Sequence, residues 1–171
     1  MRPAIFLDRD GVITENIENS YVNTVADAEA VVRAVKYAPE GIRSCCPAIR
    51  SAHFGCLSWK EYCQKANEDN LVILLLEGEE GIKNAPEIVR VKGVDIILFG
   101  PVDLSQCIGL PGESYDHPKL YKALQDMVKM CDEAGVAVMT VTTPLSNVAV
   151  ARKLIEAGVK VVVFSSDVIV F

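Results

Sequence analysis

The chain has 171 residues, half of them hydrophobic, a formal net charge of −6 and a positive mean hydropathy. A length of this order fits one domain with a substantial core, so the whole of 1–171 is expected to fold as a single domain and not to be disordered. The acidic balance, with no Lys/Arg cluster, argues against nucleic acid or an anionic membrane as partner. The longest apolar runs are too short to cross a bilayer, and the first one is broken by Asp8, too early for a signal peptide; a cytoplasmic protein is expected.

Residues 4–13, AIFLDRDGVI, read as a short apolar strand (Ala4–Leu7) running into an acidic turn. This D-x-D-G-V pattern resembles the first motif of haloacid dehalogenase-type phosphatases. The resemblance implies Asp8 as a nucleophile and Asp10 as general acid/base, because positions i and i+2 at a strand end can face one phosphoryl group. The later parts of such a site have only in-order candidates: Thr142 or Thr143, Lys153 or Lys160, and Asp167. The alternative reading of residues 4–13 is a strand followed by a polar turn.

From Thr24 to Lys36 the pattern is helical. Thr24 can cap, Asp27 completes a capping box, and Val25, Ala28, Val32 and Val35 form an apolar stripe that Pro39 and Gly41 terminate. Ile42–Ser44 is expected as a strand. Arg43 and Arg50 suit either an anionic substrate or surface ion pairs. Trp59 to Glu68 reads as a short helix that packs Trp59, Tyr62 and Cys63 inward.

Two near-continuous apolar runs follow, Leu71–Leu76 and Val94–Phe99, separated by a helix over Glu79–Val89. Such runs belong to a parallel sheet covered on both faces. Glu77 ends the first and Gly100-Pro101-Val102-Asp103 follows the second, which puts Glu77 and Asp103 at the carboxyl ends of neighbouring strands, where α/β proteins place ligands. Taken singly, either acid is an N-cap or a solvated loop charge. As a pair they offer oxygen ligands to a hard divalent cation, Mg2+ or Mn2+.

Gln106 to His117 is a loop with Gly109, Pro111 and Gly112, long enough for a lid. His117-Pro118 opens a helix to Ala134, with His117 as an entry residue. Val136–Val141 is a strand, Asn147 to Ala157 a helix, and Val159–Phe164 a last strand. Six cysteines without a CxxC and two histidines form no metal or disulfide pattern, and reduced thiols are the reading. The fold class expected is α/β, a partial or truncated (β/α)8 TIM-barrel-like domain with parallel strands and right-handed crossovers. Unpaired edges of a partial barrel favour self-association into a homo-oligomer.

The stretches LLLEGEEGIKN and GVDIILFGPVDLS resemble the metal-binding core of the HpcH/HpaI family, class II pyruvate aldolases related to citrate lyase β-type enzymes. Upstream YVNTVADAEAVVRAVKYAPEGIRS, RSAHFG and KANED, and downstream DHPKL and IEAGVKVVVFSSD, extend the likeness over about 21–171, beyond the phosphatase-like residues 1–20. The resemblance implies a metal-dependent lyase that cleaves or forms a C–C bond beside a 2-keto acid such as pyruvate, with an aldehyde as second substrate. By position Glu77 and Asp103 become the metal ligands, and Gly100, Val102 and Asp103 cradle the substrate carboxylate. The family's catalytic His and Arg come from the portion before Tyr21 and have no counterpart here; its Gln two positions before the metal-binding Glu is Leu75, and its GIRG is GIRS. The family's helix after the eighth strand also has no counterpart before Phe171. Turnover is therefore expected to be impaired. Three readings compete: the lyase, a phosphatase through Asp8 and Asp10, and a catalytically inactive metal-binding or assembly fragment.

Overall fold

In the computed structural model, which describes residues 4–6 and 22–167, five parallel strands run side by side in sequence order. They are β1 (Ala4–Phe6), β2 (Leu71–Leu76), β3 (Ile96–Phe99), β4 (Ala137–Val141) and β5 (Val161–Val163). Register runs Ala4↔Leu71, Leu74↔Ile97, Ile97↔Val138 and Met139↔Val161. Between them lie α1 (Val25–Val35), α2 (Trp59–Asp69), α3 (Glu79–Ile88), α4 (Pro101–Cys107), α5 (Pro118–Ala134) and α6 (Val148–Glu156). Parallel βαβ crossovers share one hand, so a strand order that never reverses keeps the connecting helices on one face; this is the winding of a (β/α)8 barrel and not of a doubly wound sheet. The expected α/β, partial-barrel class is what the chain adopts.

Side chains alternate across the sheet as the strand period requires. Val72, Leu74, Leu76, Ile97, Phe99 and Val138 face the helices and join Ala28 and Val35 of α1, Ala85 and Ile88 of α3, Leu124 and Met127 of α5, and Leu154 of α6 in one buried core. Ile73, Ile96 and Met139 form a smaller cluster on the opposite face, with Leu71, Leu98, Ala137 and Val163 half-covered around them. Strands with apolar residues on both faces explain why their sequences do not alternate.

The helices start as their caps dictate. The Thr24 side chain accepts from the Asp27 amide at 3.2 Å while Asp27 Oδ2 accepts from the Thr24 amide at 2.8 Å, a reciprocal capping box. His117 caps α5, with Pro118 in its first turn, and Gly135 ends it in the left-handed region (φ 74°). Asn147 caps α6 through the Val150 amide.

Ile42–Ser44 is not a strand. The amides of Gly41, Ile42 and Arg43 donate to the carbonyls of Tyr37, Arg33 and Lys36, so this segment satisfies the last turn of α1 instead of a neighbouring strand. Gly41 is needed there, since a Cβ would sit 2.3 Å from the Arg33 and Lys36 carbonyl oxygens. β1 pairs directly with β2, and the connection between them carries both α1 and α2. Three other expected strands are shorter than their apolar runs: Val94-Asp95 precede β3, Val136 precedes β4, and Val159 and Phe164 flank β5; Leu7 lies outside the described residues. Just before β3, the Asp95 amide donates to the Val72 carbonyl at 3.0 Å and its Oδ2 accepts from the Val72 amide at 2.8 Å, pinning the start of β2. On α2 the buried residues are Ala66 and Asn67, while Trp59, Tyr62 and Cys63 are half-buried in an aromatic group with Tyr37.

Candidate active site at the carboxyl edge of the sheet

Leu76 pairs with Phe99, so Glu77 and Gly100 are the next residues on adjacent strands, both at the carboxyl edge. The Gly100 amide donates to the Leu76 carbonyl at 3.0 Å, one bond past the end of the β3 ladder. Glu77 is buried, with 8% of its surface exposed. Gly100 lies flat against it, leaving no room for a Cβ, which would meet Glu77 Cβ and Oε2. This glycine is required by close approach and not by its φ of −91°.

Pro101 opens α4, where a missing N–H costs nothing. The GPVDLS run is thus a strand-to-helix corner, and α4 occupies the start of the segment expected as a loop. Asp103 lies in the first turn of α4 and is half-buried, Val102 is exposed, and Leu104 and Ser105 are buried. An acid in the first turn also complements the helix dipole, so Asp103 has a structural reason for its place as well. Alongside, the Asn84 side chain donates to the Asn23 carbonyl at 2.8 Å, and a Cβ on Gly81 would stand 2.7 Å from the Val22 carbonyl oxygen, so the start of α1 packs on the first turns of α3 beyond Glu77.

Below the Gly100 corner sits a buried polar pair that sequence reading missed. Thr140, opposite Phe99 in β4, donates its hydroxyl to the Phe99 carbonyl at 2.7 Å, and the Tyr115 hydroxyl lies 2.5 Å from Thr140 Oγ1. Tyr115 is held from its other end too, because Lys153 Nζ donates to its carbonyl at 2.7 Å and pairs with Asp116 at 3.1 Å. The loop expected as a lid is therefore pinned at Tyr115. The available sequence signals were weak: a tyrosine just before DHPKL and a threonine inside an apolar strand.

Asp8 and Asp10 lie outside the described residues. Of the residues expected to complete a phosphatase site, Thr142 is buried and donates to the Phe164 carbonyl, Lys153 is engaged at Tyr115 and lies 4.6 Å over the Tyr121 ring, and Lys160 stands exposed at the amino end of β5. Arg43 stacks on Tyr37 at 4.8 Å, and Arg50 is exposed in a 3-10 turn. A cavity of about 560 Å³ bounded by Arg43, Ser51, Leu57, Tyr62, Lys65 and Asn70 lies toward the amino end of β2. A six-residue strand separates it from Glu77, roughly 20 Å at strand rise, so it is not part of the carboxyl-edge site. Cys45, Cys46, Cys56 and Cys107 are exposed, Cys63 is half-buried and Cys131 is buried.

The comparisons with known proteins bear on this edge. Residues 14–170 match the HpcH/HpaI aldolase/citrate lyase family. The chain belongs to that family. It is 32% identical over 157 residues to the 4-hydroxy-2-oxo-heptane-1,7-dioate aldolase of Shigella sonnei, covering 90% of this chain and 57% of the relative. Among solved structures, an HpcH/HpaI aldolase/citrate lyase family protein from Burkholderia cenocepacia superposes with a TM-score of 0.77 at 31% identity, over 86% of this chain and 56% of that one. An HpcH/HpaI aldolase from Desulfitobacterium hafniense gives 0.79 at 28% identity, over 88% and 56%. The chain thus spans a little over half the length of these relatives. The phosphatase-like DRDG motif falls ahead of the family match.

Among the described residues no three His, Cys, Asp or Glu side chains gather as a ready-made ion cage. A hard cation that keeps waters and takes substrate oxygens needs only one or two protein carboxylates. At this edge the described residues offer two carboxylates to such an ion, Glu77, buried against Gly100, and Asp103, in the first turn of α4.

Proposed function

We propose that this chain is a carbon–carbon lyase of the class II aldolase type, acting on a 2-keto acid such as pyruvate with an aldehyde as the second partner. The observation that carries the reading is the juxtaposition of buried Glu77 with Gly100 at the carboxyl edge of β2 and β3, followed by Asp103 in the next helical turn. The named activity of the Shigella sonnei relative supports the same class of reaction.

In this reading Glu77 and Asp103 hold Mg2+ or Mn2+, and Gly100, Val102 and Asp103 line the place of the keto-acid carboxylate. The amides of the first helical turn are not used by the helix itself, which suits the Val102 and Asp103 N–H groups to donate to a carboxylate oxygen. Gly100 keeps the backbone low enough for Glu77 and substrate to share the corner. A bound divalent cation would supply Lewis-acid stabilisation of the negative charge that develops on the enolate oxygen. In the cleavage direction the 4-hydroxyl loses its proton, the C3–C4 bond breaks to release an aldehyde, and C3 of the pyruvate enolate takes up a proton. No residue of 22–167 is assigned to either proton transfer, and lack of a general base costs about 10²–10⁴-fold. Slow turnover with intact ion binding is the expected behaviour. The same reading includes a cytoplasmic homo-oligomer, for which the support is β5: among the described residues it pairs only with β4 and leaves one edge open.

The test is proton exchange from the methyl group of pyruvate in D2O with Mn2+ or Mg2+, followed by loss of its NMR signal. Metal-dependent exchange that disappears in Glu77→Gln is the expected result. Bound cation without exchange would leave an ion-binding protein and overturn the lyase. Activity lost in Asp8→Asn but kept in Glu77→Gln would overturn it in favour of the phosphatase.

A further inference from the structure

We infer that Tyr115 and Thr140 are positioning residues for the carboxyl-edge site, acting through one hydrogen-bond chain that ends on the peptide before Glu77. The role assigned to the site rests on the lyase proposal above; the chain itself is read from the geometry alone. Thr140 has a single hydroxyl proton, and the Phe99 carbonyl can only accept, so that proton lies in the 2.7 Å Thr140–Phe99 bond. The Tyr115 hydroxyl, 2.5 Å from Thr140 Oγ1, is then the donor to it.

The Phe99 carbonyl belongs to the same peptide as the Gly100 amide. That amide donates to the Leu76 carbonyl at 3.0 Å, and the Leu76 carbonyl belongs to the peptide that begins Glu77. Four groups are thereby coupled in a row: the Tyr115 hydroxyl, the Thr140 hydroxyl, the Phe99–Gly100 peptide and the Leu76–Glu77 peptide. Each donor polarises the next acceptor, and the chain starts in a fully desolvated place, with Tyr115 1% and Thr140 0% exposed. Its effect is to fix the plane of the Phe99–Gly100 peptide at both polar ends, and that plane sets how closely Gly100 lies against Glu77. The Lys153 bond to the Tyr115 carbonyl anchors the far end of the chain to α6.

The experiment uses the full chain and three variants: Thr140→Val, which keeps the shape and loses the hydroxyl; Thr140→Ser, which keeps the hydroxyl; and Tyr115→Phe. Two readouts are taken well below each variant's unfolding temperature: hydrogen-exchange protection of the Gly100 amide by NMR, and Mn2+ affinity by electron paramagnetic resonance of the free ion. Gly100 should exchange at least about tenfold faster in Thr140→Val, and less so in Tyr115→Phe. Mn2+ binding should weaken about 10–100-fold in Thr140→Val, the cost usual for losing an outer support of a metal site. Thr140→Ser should restore both. A purely structural role would lower the unfolding temperature of Thr140→Val and leave both readouts unmoved, and that result overturns the inference. Unchanged Gly100 protection overturns it whatever the ion does. Mn2+ binding that ignores Glu77→Gln overturns the proposed function alone, since Gly100 protection still reports the hydrogen-bond chain.

Discussion

Gly100 faces Glu77 with no space between them: a Cβ at position 100 would lie 2.6 Å from Glu77 Cβ and 2.7 Å from Oε2. Alanine suits the backbone there, so the consequence of Gly100→Ala is steric and falls on the carboxylate. The substitution should cost about 1–3 kcal/mol of stability, as overpacking does. It should slow metal-dependent pyruvate exchange about 100-fold, the penalty of a misplacement near 1 Å. Chemical denaturation and the exchange assay, run on one preparation, check both figures.

A second contact, far from this edge, joins α2 to the end of α1. The buried Asn67 side chain accepts from the Tyr37 amide at 2.7 Å and donates to the Tyr37 carbonyl at 2.9 Å. Asn67→Ala leaves two buried backbone groups without those bonds and should destabilise by about 1–3 kcal/mol for each group not reached by water. Asn67→Asp keeps the acceptor half but sets a carboxylate oxygen against the Tyr37 carbonyl and the Glu40 carboxylate, so it should destabilise at least as much as Asn67→Ala. Urea midpoints of the three proteins decide the order.

At the start of α1 the reciprocal Thr24–Asp27 bonds predict that Thr24→Ala costs about 1 kcal/mol. Asp27→Ala should cost a similar amount. Because the two side chains serve one cap, the double variant should lose less than the sum of the singles. A thermodynamic cycle in urea measures the coupling.

Alkaline pH should weaken the fold. Burial pushes the Cys131 thiol from its ordinary 9.0 up to about 12, with the nearby Asp132 charge adding to the effect, and burial also raises the Tyr115 hydroxyl above 10.0. In both cases the folded chain holds the proton more tightly than the unfolded one. The stabilisation is complete below pH 9 and is lost as pH rises, first through Cys131 between 9 and about 12 and then through Tyr115 above 10. The slope limit is about 1.4 kcal/mol per pH unit for each group. Cys131→Ala should flatten the curve between pH 9 and 10; an unchanged slope would mean that the thiol titrates at its ordinary value.

Much of this was legible from local pattern. β2, β3, α3 and the caps at Thr24, His117 and Asn147 follow from short-range chemistry: apolar runs, capping side chains, proline in a first turn. The carboxyl edge was legible too, because parallel strands of one winding bring their ends together; but the residue that meets Glu77 there is Gly100, while Asp103, read as its partner, lies a turn further on in α4. What escaped the sequence depends on distant partners. Ile42–Ser44 has strand-like composition, yet its amides are taken by the α1 carbonyls across a tight approach at Gly41. Asn67 reaches Tyr37 thirty positions away, and Tyr115 reaches Thr140 over twenty-five. A polar side chain buried by a long-range hydrogen bond carries no periodic signature.

The unreversed strand order has one more consequence. Among the described residues every strand from β1 to β5 bonds only to the strands next to it in sequence, so each strand–helix unit docks on its predecessor without threading past an older one. The Glu77–Gly100 seam lies between the second and third strands of the series, so each of its two strands is flanked by a bonded neighbour on both sides.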